Sequence, residues 1–169
     1  MAGCGKTAPA ITDNDPKPSV ITKAPQGCPQ KTTLEVNSTE AGKVIFTTEN
    51  SWYLHHSADW GTLYFMNYDD FDPLNPFAHA HSGPDVTVYF DLRTKDKSAL
   101  KKGLWNYRKL GENNELSWLN ISTEKLSGGV FDDNAKVELT YIGKDYVCGK
   151  VTSKDANSGL NGEFISQAT

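Results

Sequence analysis

The sequence predicts an all-β domain, an antiparallel β-sandwich or partly open barrel, with a flexible N-terminal tail. Apolar and polar residues alternate with period two over many short segments from Thr32 onward, and turn residues separate these segments. The single helical candidate, Lys97–Lys102, is stopped by Gly103 and has room for one turn at most. Roughly ten short strands at this spacing are typical of sandwiches and barrels.

The strands can be assigned in order along the chain. The clearest is Asp85–Leu92, in which the even-numbered residues Val86 to Leu92 are apolar and the odd-numbered ones are mostly polar, so one face is predicted to be buried. The other predicted strands are Thr33–Val36, Lys43–Thr47, Ser51–Leu54, Thr62–Met66, Leu104–Arg108, Leu116–Ile121, Ala135–Ile142, Tyr146–Thr152 and Leu160–Ser166, the last three forming a meander.

Composition divides the chain into a tail and a body. Five of the eight prolines lie in the first 29 residues, whereas all eighteen aromatic residues lie between Phe46 and Phe164. The tail has no apolar period that could offset the entropy of ordering it. We therefore expect residues 1–27 to be a disordered tether and residues 28–169 to be a single domain. A short first strand at Ser19–Thr22 is the alternative.

Charge and motifs exclude several classes of function. The formal net charge is -4 with no basic cluster, which is atypical of nucleic-acid binding, and no run of 18 apolar residues is present. The chain contains no Gly-x-Ser-x-Gly, His-Glu-x-x-His, P-loop or dinucleotide-binding motif. We therefore expect a protein that is not an enzyme, requires no cofactor and has no nucleic-acid partner.

The first cysteine suggests a lipid anchor. Cys4 follows Ala2-Gly3, and this triplet looks like the end of a bacterial lipobox, in which the cysteine is acylated. The polar, proline-rich tail behind it would hold a domain away from the lipid surface. This predicts export across the inner membrane and anchoring in the periplasm or on the outer cell surface. The alternative is that Cys4 has no such role.

The other two cysteines pair by elimination. Cys28 lies where the tail meets the first strand and Cys148 lies in the penultimate strand, so a bond between them would join the start of the domain to its end. Such a bond implies an oxidising compartment. Two reduced thiols, with Cys148 buried as a small apolar residue, are the alternative.

The second half of the chain contains a fixed order of strand and turn motifs, in the segments Asp85–Leu92, Leu100–Tyr107, Leu126–Val130, Val137–Leu139, Tyr146–Val151 and Leu160–Phe164. This order resembles that of small secreted lipoproteins common in Bacteroidetes. In those proteins an apolar strand precedes a leucine-glycine-aromatic step, a serine-glycine hairpin and a closing strand with glycine before an aromatic residue. The resemblance implies an all-β domain on a lipid tether, in a family mostly without assigned activity. Residues 67–84 depart from it as a long loop.

Aromatic residues outnumber what one small core needs, so some are expected at the surface, where flat rings stack on sugars or protein partners. This favours a non-catalytic binding or structural module of the cell envelope, with a glycan or envelope protein as partner. The alternative is that these rings fill both faces of a twisted sheet. The residues predicted to bind a ligand are Trp52, Trp60, Tyr64 and Trp105.

The four histidines suggest an alternative function as a metal-binding lipoprotein. They occur as two close pairs, His55-His56 and His79-Ala80-His81. In extended chain His79 and His81 point the same way, whereas His55 and His56 point to opposite faces, so only one of these could join them. Three imidazoles, or two with a carboxylate from Asp69, Asp70 or Asp72, would suit Zn(II) or Cu(II). Separate, solvated histidines are the other interpretation.

Overall fold

A computed structural model describes residues 23–39, 42–49, 51–69, 72, 75, 83, 85–124, 127–129, 132–154 and 158–168. The all-β prediction is confirmed: these residues form eleven strands and no helix, and so none that could span a membrane. The strands are β1 (Thr32–Ser38), β2 (Gly42–Thr48), β3 (Ser51–Ser57), β4 (Trp60–Met66), β5 (Val86–Thr94), β6 (Gly103–Tyr107), β7 (Asn114–Thr123), β8 (Ser127–Gly129), β9 (Lys136–Ile142), β10 (Tyr146–Ser153) and β11 (Ser158–Ala168).

Eight strands form a closed barrel in the order β3-β4-β5-β7-β6-β9-β10-β11. Strand β11 closes it, because it pairs with β10 along most of its length and with β3 through Gln167–Trp52 and Ala168–Tyr53. The β11–β3 and β6–β7 pairs are parallel, and the other pairs are antiparallel. Strands β1, β2 and β8 lie outside this ring: β1 pairs with the first half of β11, β2 with β1, and β8 with β7.

The interior is filled by the apolar side chains that the period-two pattern places on one face. On β5, Val88 and Phe90 are fully buried, whereas Tyr89 between them is half-buried on the outside. Phe90 packs with Phe65 of β4 and Phe164 of β11, at ring-centroid distances of 5.3 to 5.5 Å. These three rings therefore connect strands from both sides of the barrel closure.

The Cys28–Cys148 disulfide is present, and it joins residues 120 positions apart. It belongs to a small cluster outside the main core, in which Ala24 packs with Cys148 and Ile165. Ala24 is only 8% exposed, and the carbonyl of Pro25 accepts a hydrogen bond from the Cys28 amide. The chain is thus packed against the barrel before it reaches Cys28, where the sequence predicts the domain to begin.

Two local expectations need correction. The helical candidate Lys97–Lys102 forms no helical turn, because Lys97 has a left-handed backbone (φ 60°) and Asp96 Oδ1 accepts the amide hydrogen of Ser98. Two adjacent glycines also favour a turn between strands, but Gly128-Gly129 instead belongs to β8, whose pairing with β7 gives these residues backbone partners.

Candidate functional site

Strands β3, β4, β5 and β7 present a row of aromatic and polar side chains to the outside of the barrel. The strand registers place Trp52 beside Tyr64, and Tyr64 beside Tyr89. In the next row Thr62 lies beside Asp91, and Asp91 beside Trp118. We call this surface the outer aromatic face. It comprises Trp52, Leu54, His56, Trp60, Thr62, Tyr64, Met66, Tyr89, Asp91, Arg93 and Trp118.

One half of the outer aromatic face is closely packed. Trp52, Tyr64, Met66 and Tyr68 are each at most 9% exposed and form an apolar cluster separate from the barrel interior. Tyr64 stacks on Tyr89 with ring centroids 5.4 Å apart. Burial, with a smaller contribution from the charge of Asp91, raises the pKa of Tyr64 to about 12. These rings stabilise the sheet from outside and leave little surface for a ligand.

The other half of the face is open. Trp60 is half-buried, and its ring stacks on the exposed imidazole of His56 with centroids 4.0 Å apart. The guanidinium carbon of Arg93 lies 4.3 Å from the Trp60 centroid. Because β4 lies between β3 and β5, the imidazole and the guanidinium reach Trp60 from opposite sides. Within the described residues the buried Nε1 of Trp60 has no hydrogen-bond partner, so these two stacking contacts orient the indole.

A second open aromatic group lies across Asp91. Trp118 is half-buried and its side chain is hydrogen-bonded to that of Tyr89. A β-bulge between β5 and β7 occurs next to the Asp91–Trp118 pair. Arg108 lies 5.6 Å from the Trp118 ring and donates from Nε to the Ser117 carbonyl at 3.2 Å. Its backbone is left-handed (φ 43°), in the turn that follows β6.

A hydrogen-bonded chain of three side chains connects the two open groups. Nε2 of His56 lies 2.9 Å from Oγ1 of Thr62, and the Thr62 hydroxyl donates to Oδ1 of Asp91 at 2.6 Å. A threonine hydroxyl has one hydrogen, so Nε2 of His56 must be the donor in the first bond. The network therefore sets the tautomer of His56 and leaves its Nδ1 as the acceptor when the ring is neutral.

The surroundings of His56 favour its neutral form. Burial lowers the pKa of His56, and the positive charge of Arg93 lowers it further with a small effect of His55, whereas the carboxylate of Asp91 opposes both. At neutral pH the imidazole is therefore uncharged, and it offers a flat ring and one acceptor nitrogen at the surface.

The order of these groups is suited to binding and does not match a nucleophilic relay. In such a relay the histidine lies between the hydroxyl and the carboxylate. Here the hydroxyl of Thr62 is central, the residue is only 3% exposed, and its hydrogen is directed to Asp91. The face instead offers half-exposed rings, a carboxylate and two guanidinium groups with which a polar ligand could form hydrogen bonds.

The structure brings together three of the four residues predicted to bind a ligand. Trp52, Tyr64 and Trp60 share the outer aromatic face, although only Trp60 belongs to its open half. Trp105 is 0% exposed inside the barrel, and its Nε1 donates to the Lys101 carbonyl at 3.3 Å. Trp105 lies on the side of β6 that faces the barrel interior, so no part of its ring is accessible to a ligand.

Sequence reasoning missed most of the polar residues of the face. Asp91 was recognised on the polar side of its strand, but nothing in the pattern connected it with Thr62 or Trp118. The pairing of β5 with β4 and β7 makes this connection, and it depends on the fold. Arg93 lies one residue beyond the strand that the alternation identifies.

The predicted metal ligands are only partly described. His55 and His56 point to different sides of β3, as expected: His55 lines a pocket at one end of the barrel, and His56 lies on the outer aromatic face. His79, His81 and Asp70 lie outside the described residues, as does Cys4. Among the described residues no group of three or more His, Cys, Asp or Glu side chains is placed to hold a metal ion. The metal site stays a prediction.

The fold and the face together define a closed all-β barrel with an external aromatic surface. Comparisons of the chain with models of protein families, with curated proteins and with solved structures find no significant match.

Proposed function

We propose that this chain is a lipid-anchored, non-catalytic binding module of the bacterial cell envelope, and that its outer aromatic face binds a glycan. The observation that carries the proposal is the juxtaposition of Trp60 and Trp118 around Asp91, with Arg93 and Arg108 beside the two indoles. Each ring is half-buried, so it is held in place while one part remains accessible.

The chemistry of the open half suits a sugar. A pyranose ring has an apolar face that stacks on an aromatic ring, and a rim of hydroxyl groups that needs donors and acceptors. Trp118 and the exposed imidazole of His56, which is stacked on Trp60, supply the flat surfaces. Asp91 supplies a carboxylate acceptor, and Arg93 and Arg108 supply several N–H donors. The stacking contacts and the bonds to Thr62 hold the aromatic and acidic groups before a ligand arrives, which lowers the entropic cost of binding.

The lipid anchor is supported by other observations. Ala2-Gly3-Cys4 has the order of small residues and cysteine that precedes acylation, and a polar, proline-rich segment follows it. The Cys28–Cys148 bond supports folding in an oxidising compartment outside the cytoplasm. On this proposal the tail separates the barrel from the lipid surface, so that the outer aromatic face can reach envelope polysaccharide.

A glycan array followed by calorimetric titration of the best oligosaccharide tests the binding. We expect Trp118→Ala and Trp60→Ala each to weaken binding by about tenfold or more, as loss of a stacked ring in a binding site does. Ile45→Ala is the matched control, since Ile45 is an apolar side chain 60% exposed on β2, away from the face. Absence of any saturable glycan, or equal weakening by all three variants, would refute the proposal.

Mass spectrometry of the protein isolated from the cells that make it tests the anchor. We expect a thioether-linked diacylglyceryl group on Cys4, and loss of membrane association in Cys4→Ser. An unmodified Cys4 in membrane-free fractions would contradict this part of the proposal and would leave the glycan measurement unaffected.

A further inference from the structure

A cavity lies at one end of the barrel, away from the outer aromatic face. It has a volume of about 400 Å³, which falls in the range of small-molecule sites. Four parts of the chain form its wall: the end of β3 with the β3–β4 turn, the connection from β5 to β6, the β9–β10 hairpin and the end of β11. His55 lines this cavity while its neighbour His56 lies on the outer aromatic face, so β3 separates the two sites.

The wall of the cavity is held by backbone hydrogen bonds. The amide of Leu100 donates to the carbonyl of Ala58 at 2.9 Å, which ties the β5–β6 connection to the β3–β4 turn. The amide of Ala168 donates to the carbonyl of Asp145 at 2.9 Å, which ties the end of β11 to the β9–β10 hairpin. The cavity is therefore formed without a ligand, as is usual for small-molecule sites.

The lining is mainly apolar, and the ionisable side chains among the described lining residues are one tyrosine and two basic residues. Leu100 and Ile142 supply aliphatic surface and Ala58 and Ala99 leave room, while Tyr53 contributes its ring. Burial raises the pKa of Tyr53 to about 12, so its hydroxyl stays protonated at neutral pH.

The charged and titratable lining residues besides Tyr53 are His55 and Lys144, both exposed at the rim. No carboxylate side chain lines the cavity within the described part of the chain. The neighbouring acid Asp59 is outside the lining, and its Oδ1 accepts a hydrogen bond from Ser57 at 2.7 Å. Asp145, next to Lys144, is exposed and also lies outside the lining.

We propose that this cavity is a binding site for a small amphiphilic monocarboxylate, whose apolar body lies between Leu100 and Ile142 and whose carboxylate meets the ammonium group of Lys144 at the rim. The apolar lining selects the body of the ligand by burial. The cationic rim selects the charge of its head. This site goes beyond the glycan-binding function and does not depend on it.

The test uses the full chain and three ligands with the same eight-carbon body: octanoate, octan-1-ol and octylammonium. Displacement of a fluorescent anilinonaphthalene sulfonate measures their dissociation constants. We expect octanoate to bind about fivefold more tightly than octan-1-ol, because its carboxylate forms one partly screened ion pair with Lys144. Octylammonium should bind most weakly, because its positive charge is repelled by Lys144. Equal affinities, or no saturable binding of octanoate, would overturn the proposal.

Three variants locate the site. Ala58→Trp fills the cavity from an exposed turn position and should weaken octanoate binding by about tenfold or more. Lys144→Glu should weaken octanoate by about fivefold and leave octan-1-ol unchanged. Lys136→Glu is the matched control, because Lys136 is exposed at the opposite end of β9 and should change neither affinity.

Circular dichroism confirms that each variant is folded, and the ligand series on the unaltered chain does not depend on any variant. Octanoate binding that survives Ala58→Trp would place the ligand elsewhere and overturn the assignment. Trp118→Ala should leave octanoate binding unchanged, so a failure of the glycan proposal and a failure of this one are distinguishable.

Discussion

Thr62 on β4 donates a hydrogen bond of 2.6 Å to Oδ1 of Asp91 on β5, and this bond connects the two open aromatic groups of the outer aromatic face. The donor is 3% exposed and the acceptor is half-buried. A bond to a charged acceptor in such a place contributes more to stability than one between exposed neutral groups.

We therefore expect Thr62→Val to lower the free energy of unfolding by about 2 kcal/mol, because it removes a buried partner of Asp91 and of His56. Denaturation in urea measures the change. Thr47→Val is the matched control: the Thr47 hydroxyl is exposed and lies 3.3 Å from that of Thr33, so the loss should stay within about 0.5 kcal/mol. Equal losses in the two variants would show that the Thr62–Asp91 bond has no special weight.

His56 should titrate below the ordinary histidine pKa, because it is partly desolvated and lies near Arg93. We expect Arg93→Gln to raise this pKa, because it removes a positive charge that disfavours the protonated imidazole. We expect Asp91→Asn to lower it further, because it removes a negative charge that favours the protonated imidazole. Titration of the imidazole resonances by NMR measures all three values. A pKa for His56 that is insensitive to both substitutions would contradict the geometry around Trp60.

The same shift predicts how stability depends on pH. When the folded-state pKa of a histidine is lowered, the unfolded chain binds the proton more readily, so stability is full above the unfolded value near 6.5 and falls as pH decreases through the folded pKa. Melting temperatures from about pH 7.5 to about pH 5 should therefore decrease less in His56→Gln than in the unaltered chain. An identical decrease in both would exclude a contribution from His56.

Among the carboxylates outside the outer aromatic face, we expect Asp132 to contribute most to the stability of the fold. Burial alone would raise the pKa of Asp132, but hydrogen bonds from Lys154 N at 2.6 Å, Asn134 N at 2.9 Å and Ser153 Oγ at 3.0 Å give a net lowering. The folded-state pKa of Asp132 is lower than the unfolded-state value near 4. The contribution of its carboxylate to stability is therefore full above that unfolded-state value and disappears as pH falls through the folded-state pKa.

We expect Asp132→Ala to lower the free energy of unfolding by about 2 to 3 kcal/mol, because three donors that fasten the start of β9 to the end of β10 lose their acceptor. The neighbouring Asp133→Ala is the control, since Asp133 is exposed and should change stability by no more than about 0.5 kcal/mol. Chemical denaturation near neutral pH compares the two. Equal effects would refute the role of Asp132.

Removal of the disulfide should destabilise the barrel. The Cys28–Cys148 bond closes a loop of 120 residues, for which the chain-entropy model gives about 5 kcal/mol, and measured disulfides often deliver less than this model. We expect the double variant Cys28→Ser/Cys148→Ser to melt about 10 °C lower than the unaltered chain, and Cys4→Ser to melt unchanged. Thiol counting under denaturing conditions without reductant should find one reactive thiol in unacylated protein. Three would contradict the bond.

The eight strands of the ring could be predicted because each of them has one side facing the barrel interior. Val88 and Phe90 alternate with Tyr89 and Asp91, and this local pattern is sufficient to identify β5 and its buried face. The closure of the barrel could not be predicted in this way. It depends on two residue pairs between β11 and β3, more than a hundred positions apart, and no local pattern encodes them.

The candidate site was predictable only in residue type. Trp105 and Trp118 both lie in strands with mixed neighbours, and the sequence gives no sign that the first faces the core and the second faces out. Alternation identifies the inner face only where apolar and polar residues separate cleanly between the two faces, as they do on β5. Asp132 could have been recognised, because aspartate two residues before asparagine in a turn favours the bond from Asn134 N that the structure contains.

The position of β11 also determines when folding can finish. This strand contacts β10, β1 and β3, and it is the last of the eleven strands in the described residues. Until it has emerged, β3 has no partner on one side and the β1–β2 hairpin has no ring to join. Completion of the barrel therefore requires contacts between strands that are more than a hundred residues apart in sequence, and such non-local contacts make folding slow.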